Sequence, residues 1–496
     1  MGLPVVMIHG WSVTNTDTYG RLPQRLKENS AKNGLDIDIH NIWLGKYISF
    51  RDEVCLDDIA CAMQTALKDT FKDLENTRFV CITHSTGGPL ARLWKKRFYP
   101  LSGCPMSHLI MLAPANFGSA LAQLGKSTLS KMKYMLFDGV DCGEEVLNWL
   151  ELGSQESLAL NMDYIINGTE QFNTNPVYQF VLTGQCIDRK LHDVINSYTG
   201  ELGSDGVVRM AATNLNCSYL KLSQTGLVQS DQTIFNKTSN VYSGFFVKSE
   251  YRESLETAFA IVPGCSHSGD KMGIMRALGG DEEKTLEYII KCLQVKTPGE
   301  YNELCRYFKD SNENVQMNEL VEVLDSWVFR TKVRDKFSMI ILRVTDDHGK
   351  PVNNFDFLLF GPDNNPNMPS DFIIDRQKNK RSANIVSFYL NTANITGTPP
   401  VSVLHNGKNK KIRSKLDSMP SLGFKFIPHQ LDGFVHYGIS TFEIPARLLK
   451  EYIKPNQTLI LDLIVKRIIH KNTMQLTHDP TPHDFKGTNP GVDVLD

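Results

Sequence analysis

"VCITHSTGG", residues 80–88, decides how the rest of this chain is read. A short apolar run ends at His84, and Ser85 follows, ahead of Thr86 and two glycines, Gly87 and Gly88. A strand-to-helix turn tight enough to expose a serine hydroxyl needs small neighbours, and G-x-S-x-G is the pattern that supplies them. Here the five residues are Thr83-His84-Ser85-Thr86-Gly87. The second glycine is present; the first is threonine, which crowds the turn. An apolar strand before the serine and the helical "GPLARLWKKRF" after it fit a nucleophile elbow. The plainer reading is a Ser/Thr cap on an ordinary helix.

The surrounding segments set the fold class. Strands are expected at "PVVMIHG" (4–10), "DIDIHNI" (36–42), "RFVCITH" (78–84), "HLIMLAPA" (108–115), "VYQFVLTG" (177–184) and "AFAIVPG" (258–264). Helical patterns separate the early ones: "YGRLPQRLKENSAK", "LDDIACAMQTALKDTFKDL" and the segment after Ser85. Apolar strands alternating with helices imply a mostly parallel sheet covered on both faces, the α/β class. Beyond about residue 300 the texture changes to strand-like runs split by Gly, Pro, Asn and Asp, with helical periodicity confined to 301–328. That predicts a β-rich, sandwich-like domain or a pair of packed sheets. The expected division is an α/β-hydrolase domain over 1–298, a β-rich domain over 299–472 and a polar tail over 473–496. Residues 227–257 look like an insertion.

Bulk properties exclude several classes. The chain has 496 residues, 41% hydrophobic and 22% charged, with a net charge of −2, so a general nucleic-acid binder is not expected. No apolar run approaches the ~20 residues that cross a bilayer. The first strand begins at Leu3, so no cleavable signal peptide is expected. The ten cysteines are scattered without CxxC pairs, and most read as reduced core residues.

A serine hydroxyl needs a histidine to take its proton and a carboxylate to hold that histidine. On this fold the chain order is Ser, Asp or Glu, then His. Between residues 206 and 300 the only histidine is His267, in "PGCSHSGD". For the acid, Asp205 in "LGSDGVVRM" is favoured and Asp188 competes. The oxyanion that forms needs backbone donors. Thr86 N–H, directly after the serine, supplies one, and Trp11 N–H in "HGWS" (9–12) is assigned as the other. The chemistry calls for no cofactor and no metal.

These residues together resemble the PlaB-type bacterial phospholipases A. The resemblance rests on "HGWSVTNTDTYG", the "THSTG" elbow, "SDGVVRMAATNL" and "GCSHSG", and the threonine at 83 is itself a trait of the family. It implies hydrolysis of acyl esters of phospholipids and lysophospholipids, with Ser85, Asp205 and His267 as the triad. It also implies a bacterial homo-oligomer, with a tetramer as one form, that is peripheral at a membrane (outer membrane or cell surface) or cytoplasmic. A short-chain carboxylesterase or an acyltransferase is the near alternative; a non-catalytic membrane or partner-binding protein is the distant one.

Two features suit a lipid substrate. Residues 118–165 are a candidate cap: Leu129, Met132 and Leu136 share a helical face, as do Val146, Trp149 and Leu150. Ordinary core helices would show the same pattern. Basic runs at Arg376, Lys378, Lys380 and Arg381, and at Lys408, Lys410, Lys411, Arg413 and Lys415, can meet anionic headgroups or simply sit at solvated hairpin ends.

Overall fold

The apolar runs of the first half become one parallel sheet. In chain order it uses β1 (Leu3–His9), α1 (Leu22–Lys32), β2 (Ile37–Trp43), α2 (Leu56–Thr70), β3 (Phe79–His84), α3 (Gly87–Phe98) and β4 (Met106–Leu112). Helices α4 (Glu144–Leu150) and α5 (Gln155–Thr174) lead to β5 (Tyr178–Thr183). Two long strands, β6 (Cys217–Ile234) and β7 (Lys237–Glu253), intervene before β8 (Ala258–Ile261), α6 (Glu283–Gln294) and α7 (Pro298–Asn318). The computed structural model describes residues 2–9, 19–49, 51–124, 143–174, 176–188, 199–234, 237–269, 271–275, 283–325, 330–429 and 435–469.

The first sheet runs β2-β1-β3-β4-β5-β8, every pairing parallel. Successive residues point to opposite faces. Val5, Met7, Val80 and Ile82 therefore pack under α1, α6 and α7, while Val6, Ile8, Phe79 and Cys81 pack under α2 and α3. Each large apolar side chain so buried contributes about 1.5–3 kcal/mol. α7 starts at a reciprocal cap, Thr297 with Glu300, and its Asn312 bonds the backbone of Phe259 and Ile261 on β8. α7 thus packs on the first sheet, although it begins at the expected division at 298.

The later strands are β9 (Val321–Asp325) and β10 (Arg330–Val333), which form a ribbon, then β11 (Phe337–Asp346), β12 (Phe355–Phe360), β13 (Ile373–Lys378) and β14 (Ile385–Asn391). After the hairpin β15 (Val401–His405) and β16 (Lys408–Arg413) come β17 (Ser421–Pro428), β18 (Val435–His436), β19 (Ile439–Pro445), β20 (Thr458–Val465) and β21 (Ile468–Ile469). One mixed sheet of nine strands results, in the order β12-β17-β19-β7-β6-β20-β11-β14-β13. The hairpin β6–β7 is thus part of the second sheet, not an insertion within the first domain. β6 lies parallel to β20, and β7 to β19.

The nine strands do not split into two sheets. They roll up: Phe357 on β12 and Phe388 on β14, far apart in the strand order, have ring centroids 5.7 Å apart. Lys378 of β13 sits over the Phe355 ring of β12. The roll encloses Leu220, Leu342, Phe424 and Leu461. Its outer face is also apolar along β11 and β14, by the same two-residue period. Ile340, Leu342 and Val344 point into the roll, whereas Met339 and Ile341 join the core under the first sheet, together with Ile385, Tyr389 and Ile460. Gly153 fits there because a Cβ would come within 2.5 Å of Ile385.

Polar contacts follow the same seam. Thr458 Oγ1 donates to the Ala211 carbonyl, Asn214 Nδ2 to that of Asn456, and Asn379 Nδ2 to that of Leu152. The first basic run is engaged here: Arg381 pairs with Glu145 of α4, and Lys380 Nζ donates to the Gln123 carbonyl. In the second run Arg413 pairs with Asp335 and Lys415 with Asp417, while Lys408, Lys410 and Lys411 are exposed on β16. Among the described residues no helix is long and apolar enough to cross a membrane.

A shared core makes the two sheets one cooperative unit. Calorimetry should show one transition, and Ile341→Ala, which costs about 2–5 kcal/mol for a buried Ile, should lower it without splitting it. Two separated transitions would contradict the shared core.

Candidate active site

Ser85 follows β3 at the C-terminal edge of the sheet, with a backbone φ of 51°. A non-glycine residue in this left-handed region is strained and persists only where its surroundings over-determine it. Here they do. Ser85 N–H donates to the Leu112 carbonyl at 3.0 Å, and the Ser85 carbonyl accepts from Gly88 N–H at 3.2 Å and Ala115 N–H at 3.3 Å. Gly87 answers the crowding at Thr83, and Gly88 makes room for the segment after β4. A Cβ on Gly87 would lie 3.1 Å from Thr83 Cβ, and one on Gly88 would lie 2.6 Å from Pro114 Cβ. Thr83 is fully buried, and its hydroxyl has no hydrogen-bond partner among the described residues.

The structure brings Ser85, His267 and Asp205 together. His267 Nε2 lies 3.1 Å from Ser85 Oγ, and Nδ1 lies 2.9 Å from Asp205 Oδ2. Both His267 and Asp205 are fully buried. The other carboxylate oxygen of Asp205 accepts the N–H groups of Val207 and Val208 at 3.0 and 2.8 Å, so the carboxylate is aimed as well as paired. His267 N–H donates in turn to the Asp205 carbonyl at 2.9 Å, tying the two loops by their backbones. Asp188 is half-buried beyond β5, and the partner at Nδ1 is Asp205.

An acceptor on Ser85 Oγ and a buried carboxylate behind it form a proton relay. Such a relay turns a hydroxyl into a nucleophile. Thr86 opens α3, where the first N–H groups of a helix lack intrahelical acceptors, and it lines a small pocket with Ser85. Trp11, the other expected donor, lies outside the described residues, as do Leu129, Met132 and Leu136. The pocket is otherwise mostly apolar: Ala115, Leu121, Ala122, Leu147, Leu150 and Val208. α4 therefore serves twice. Val146, Leu147, Trp149 and Leu150 are all buried in the main core, and Leu147 and Leu150 also line the pocket with Ser85.

Sequence reasoning gave His84 no role. Its Nε2 lies 3.1 Å from the His267 carbonyl, which accepts only a donor, so the hydrogen is on Nε2. The rings are 4.6 Å apart. Burial, and next the neighbouring His267, hold His84 well below the usual histidine range. The clue was its place beside Ser85, where a strand's last side chain falls next to whatever packs on the turn. Unfolded, His84 takes a proton near its ordinary value; folded, it resists until lower pH. Acid therefore favours unfolding, and this contribution to stability is lost as pH falls below about 6.5. His84→Gln keeps an N–H donor and removes the titration. Its melting temperature should fall less than that of the wild type between pH 7 and 5, and equal slopes would remove His84 as the source.

No protein-family model matches this chain, and no curated protein does. Two solved structures match it from end to end. Phospholipase PlaB from Legionella pneumophila shares 37% identity, with a TM-score of 0.80 over 99% of this chain and 100% of that one. The same phospholipase in complex with thio-NAD gives 36% identity and a TM-score of 0.79 over 99% of both chains. Identity at that level over 99% of this chain makes it a member of the PlaB phospholipase family.

Proposed function

We propose that this protein is a serine hydrolase that cleaves acyl esters of glycerophospholipids and lysophospholipids. The observation that carries the reading is the Ser85–His267–Asp205 relay, at 3.1 and 2.9 Å, on a strained turn beside an apolar pocket. His267 Nε2 takes the Ser85 proton as Oγ attacks the ester carbonyl carbon. The negative charge on the carbonyl oxygen is met by Thr86 N–H and by an N–H from the loop after β1, assigned to Trp11. Collapse of the tetrahedral adduct breaks the ester C–O bond, and the proton on His267 goes to the leaving lysolipid or glycerol headgroup. Water then gives a proton to His267 and attacks the acyl-enzyme, releasing the fatty acid and restoring the Ser85 hydroxyl. The reaction transfers an acyl group and no electrons, so a dinucleotide such as thio-NAD enters this reading as a ligand rather than a reactant.

Peripheral binding to a membrane and assembly into a homo-oligomer, tetramer included, belong to the same proposal. Vesicle flotation and light scattering test them. A short-chain carboxylesterase would share the relay, and the acyl-chain profile separates the two.

Incubated with mixed phospholipid vesicles, the wild type should release fatty acid and lysolipid. Ser85→Ala should lower that rate by roughly three to six orders of magnitude, and Asp205→Asn by about 10⁴, with folding intact by circular dichroism. Fatty-acid release by Ser85→Ala at the wild-type rate would end this reading. The pocket gives a second test. Leu147→Trp should lower the ratio of palmitate to butyrate p-nitrophenyl ester turnover about tenfold; an unchanged ratio would mean that the acyl chain lies elsewhere.

A further inference from the structure

Asp205 is carried by a loop that the second sheet holds from outside. Residues 201–209 close on themselves. Ser204 and Arg209 form a bridge, Met210 N–H donates to the Gly203 carbonyl at 2.9 Å, and Asp205 N–H donates to the Val208 carbonyl at 3.2 Å. The Arg209 side chain then turns away from the relay into the seam, with 2% of it exposed. Its guanidinium donates twice to Glu201, at 2.7 and 2.9 Å, and once to Asp375 on β13. It lies 4.2 Å from the ring centroid of Tyr389 on β14. The Tyr389 hydroxyl donates to the Leu202 carbonyl at 3.0 Å. The Arg209 end of the acid loop is thus fastened to β13 and β14, and its Leu202 end to β14.

A buried cation needs its partners. Removing one from a buried ion pair leaves an uncompensated charge, which the structure relieves by moving. Burial pushes the Glu201 carboxyl upward while Arg209 opposes it, so the loop's own acid depends on the arginine for its charge. Arg209 and Asp205 lie four residues apart in one closed turn, so displacement of the first reaches the second. Small misplacements of reacting groups cost large factors in rate.

We propose that Arg209, Asp375 and Tyr389 are positioning residues for the relay, and that the second sheet acts in the reaction by holding Asp205 against His267. This rests on the relay reading above.

The test uses the full chain and a soluble substrate, p-nitrophenyl butyrate. Asp375→Asn should lower kcat about tenfold or more with KM within twofold. The acid limb of the pH–rate profile should also move to lower pH, because a carboxylate drawn off the ring no longer favours the imidazolium. Ile341→Ala, which loosens the same seam without touching the loop, is the control: a lower melting temperature with an unmoved acid limb. If Asp375→Asn behaves like Ile341→Ala, the cluster only stabilises the fold and the proposal fails. If Asp375→Asn does not fold, Tyr389→Phe carries the test by removing one hydroxyl from the loop. A lower kcat with a shifted limb supports the proposal, and wild-type values overturn it. Wild-type activity in Ser85→Ala would overturn the relay reading itself, a result separate from any loop variant.

Discussion

A serine held in left-handed backbone geometry is the constraint on which the rest of the structure depends. At φ 51° Ser85 stores strain of order 1 kcal/mol, which must be offset locally. The offset comes from β4: the Leu112 carbonyl takes the Ser85 N–H, and Ala115, beyond the strand's end, bonds the Ser85 carbonyl. β4 can do this because it is buried along its whole length between β3 and β5. The centre of the sheet therefore exists, in part, to hold one turn. Gly87 and Gly88 let helix α3 leave at once, and Thr83 is tolerated because Gly87 has no side chain to meet it.

To that turn the chain brings Asp205 and His267 out of segments that lie far apart in sequence. Asp205 and His267 stand on either side of the β6–β7 hairpin, which leaves the first sheet and pairs in the second. Asp205 and His267 are thus the two feet of an excursion into the other sheet. Their backbones meet again at the His267 N–H to Asp205 carbonyl bond. The seam is built from alternate residues of β11, β14 and β20, whose intervening residues fill the roll. One strand pattern serves two cores, so the two bodies are joined by packing rather than by a linker.

Much of the first body was legible because its signals are local. Apolar runs such as 78–84 and 108–115 correspond to β3 and β4 within two or three residues, and the order Ser, Asp, His selected the residues that the structure brings together. The second sheet was less legible. β6 reads "CSYLKLSQTGLVQSDQTI", an alternating pattern that specifies a strand and one apolar face but not a partner. Its neighbour β20 is remote in the chain, so an insertion was the natural reading of 227–257. α7 looked like the start of something new because the texture changes after it, yet Asn312 places it on β8. The basic run at 376–381 has the look of a charged surface, but where Arg381 and Lys380 find acids and carbonyl oxygens depends on tertiary structure alone. His84 and Arg209 were missed for the same reason.

The pairing of β6 with β20 also sets an order of events during synthesis. Cys217 lies opposite Thr458, and Ile439 opposite Ser243. Contacts of such long sequence separation form late and slowly, because the loop must close before any pairing rewards it. As the chain emerges from the ribosome, β1, β3 and β4 can dock early and complete the turn at Ser85. The hairpin strands must wait, with unpaired edges, until β19 and β20 have been made. Until then the turn at Ser85 stands finished while the segments bearing Asp205 and His267 are not yet anchored. The fold thereby ties the anchoring of Asp205 and His267 to strands made long after both.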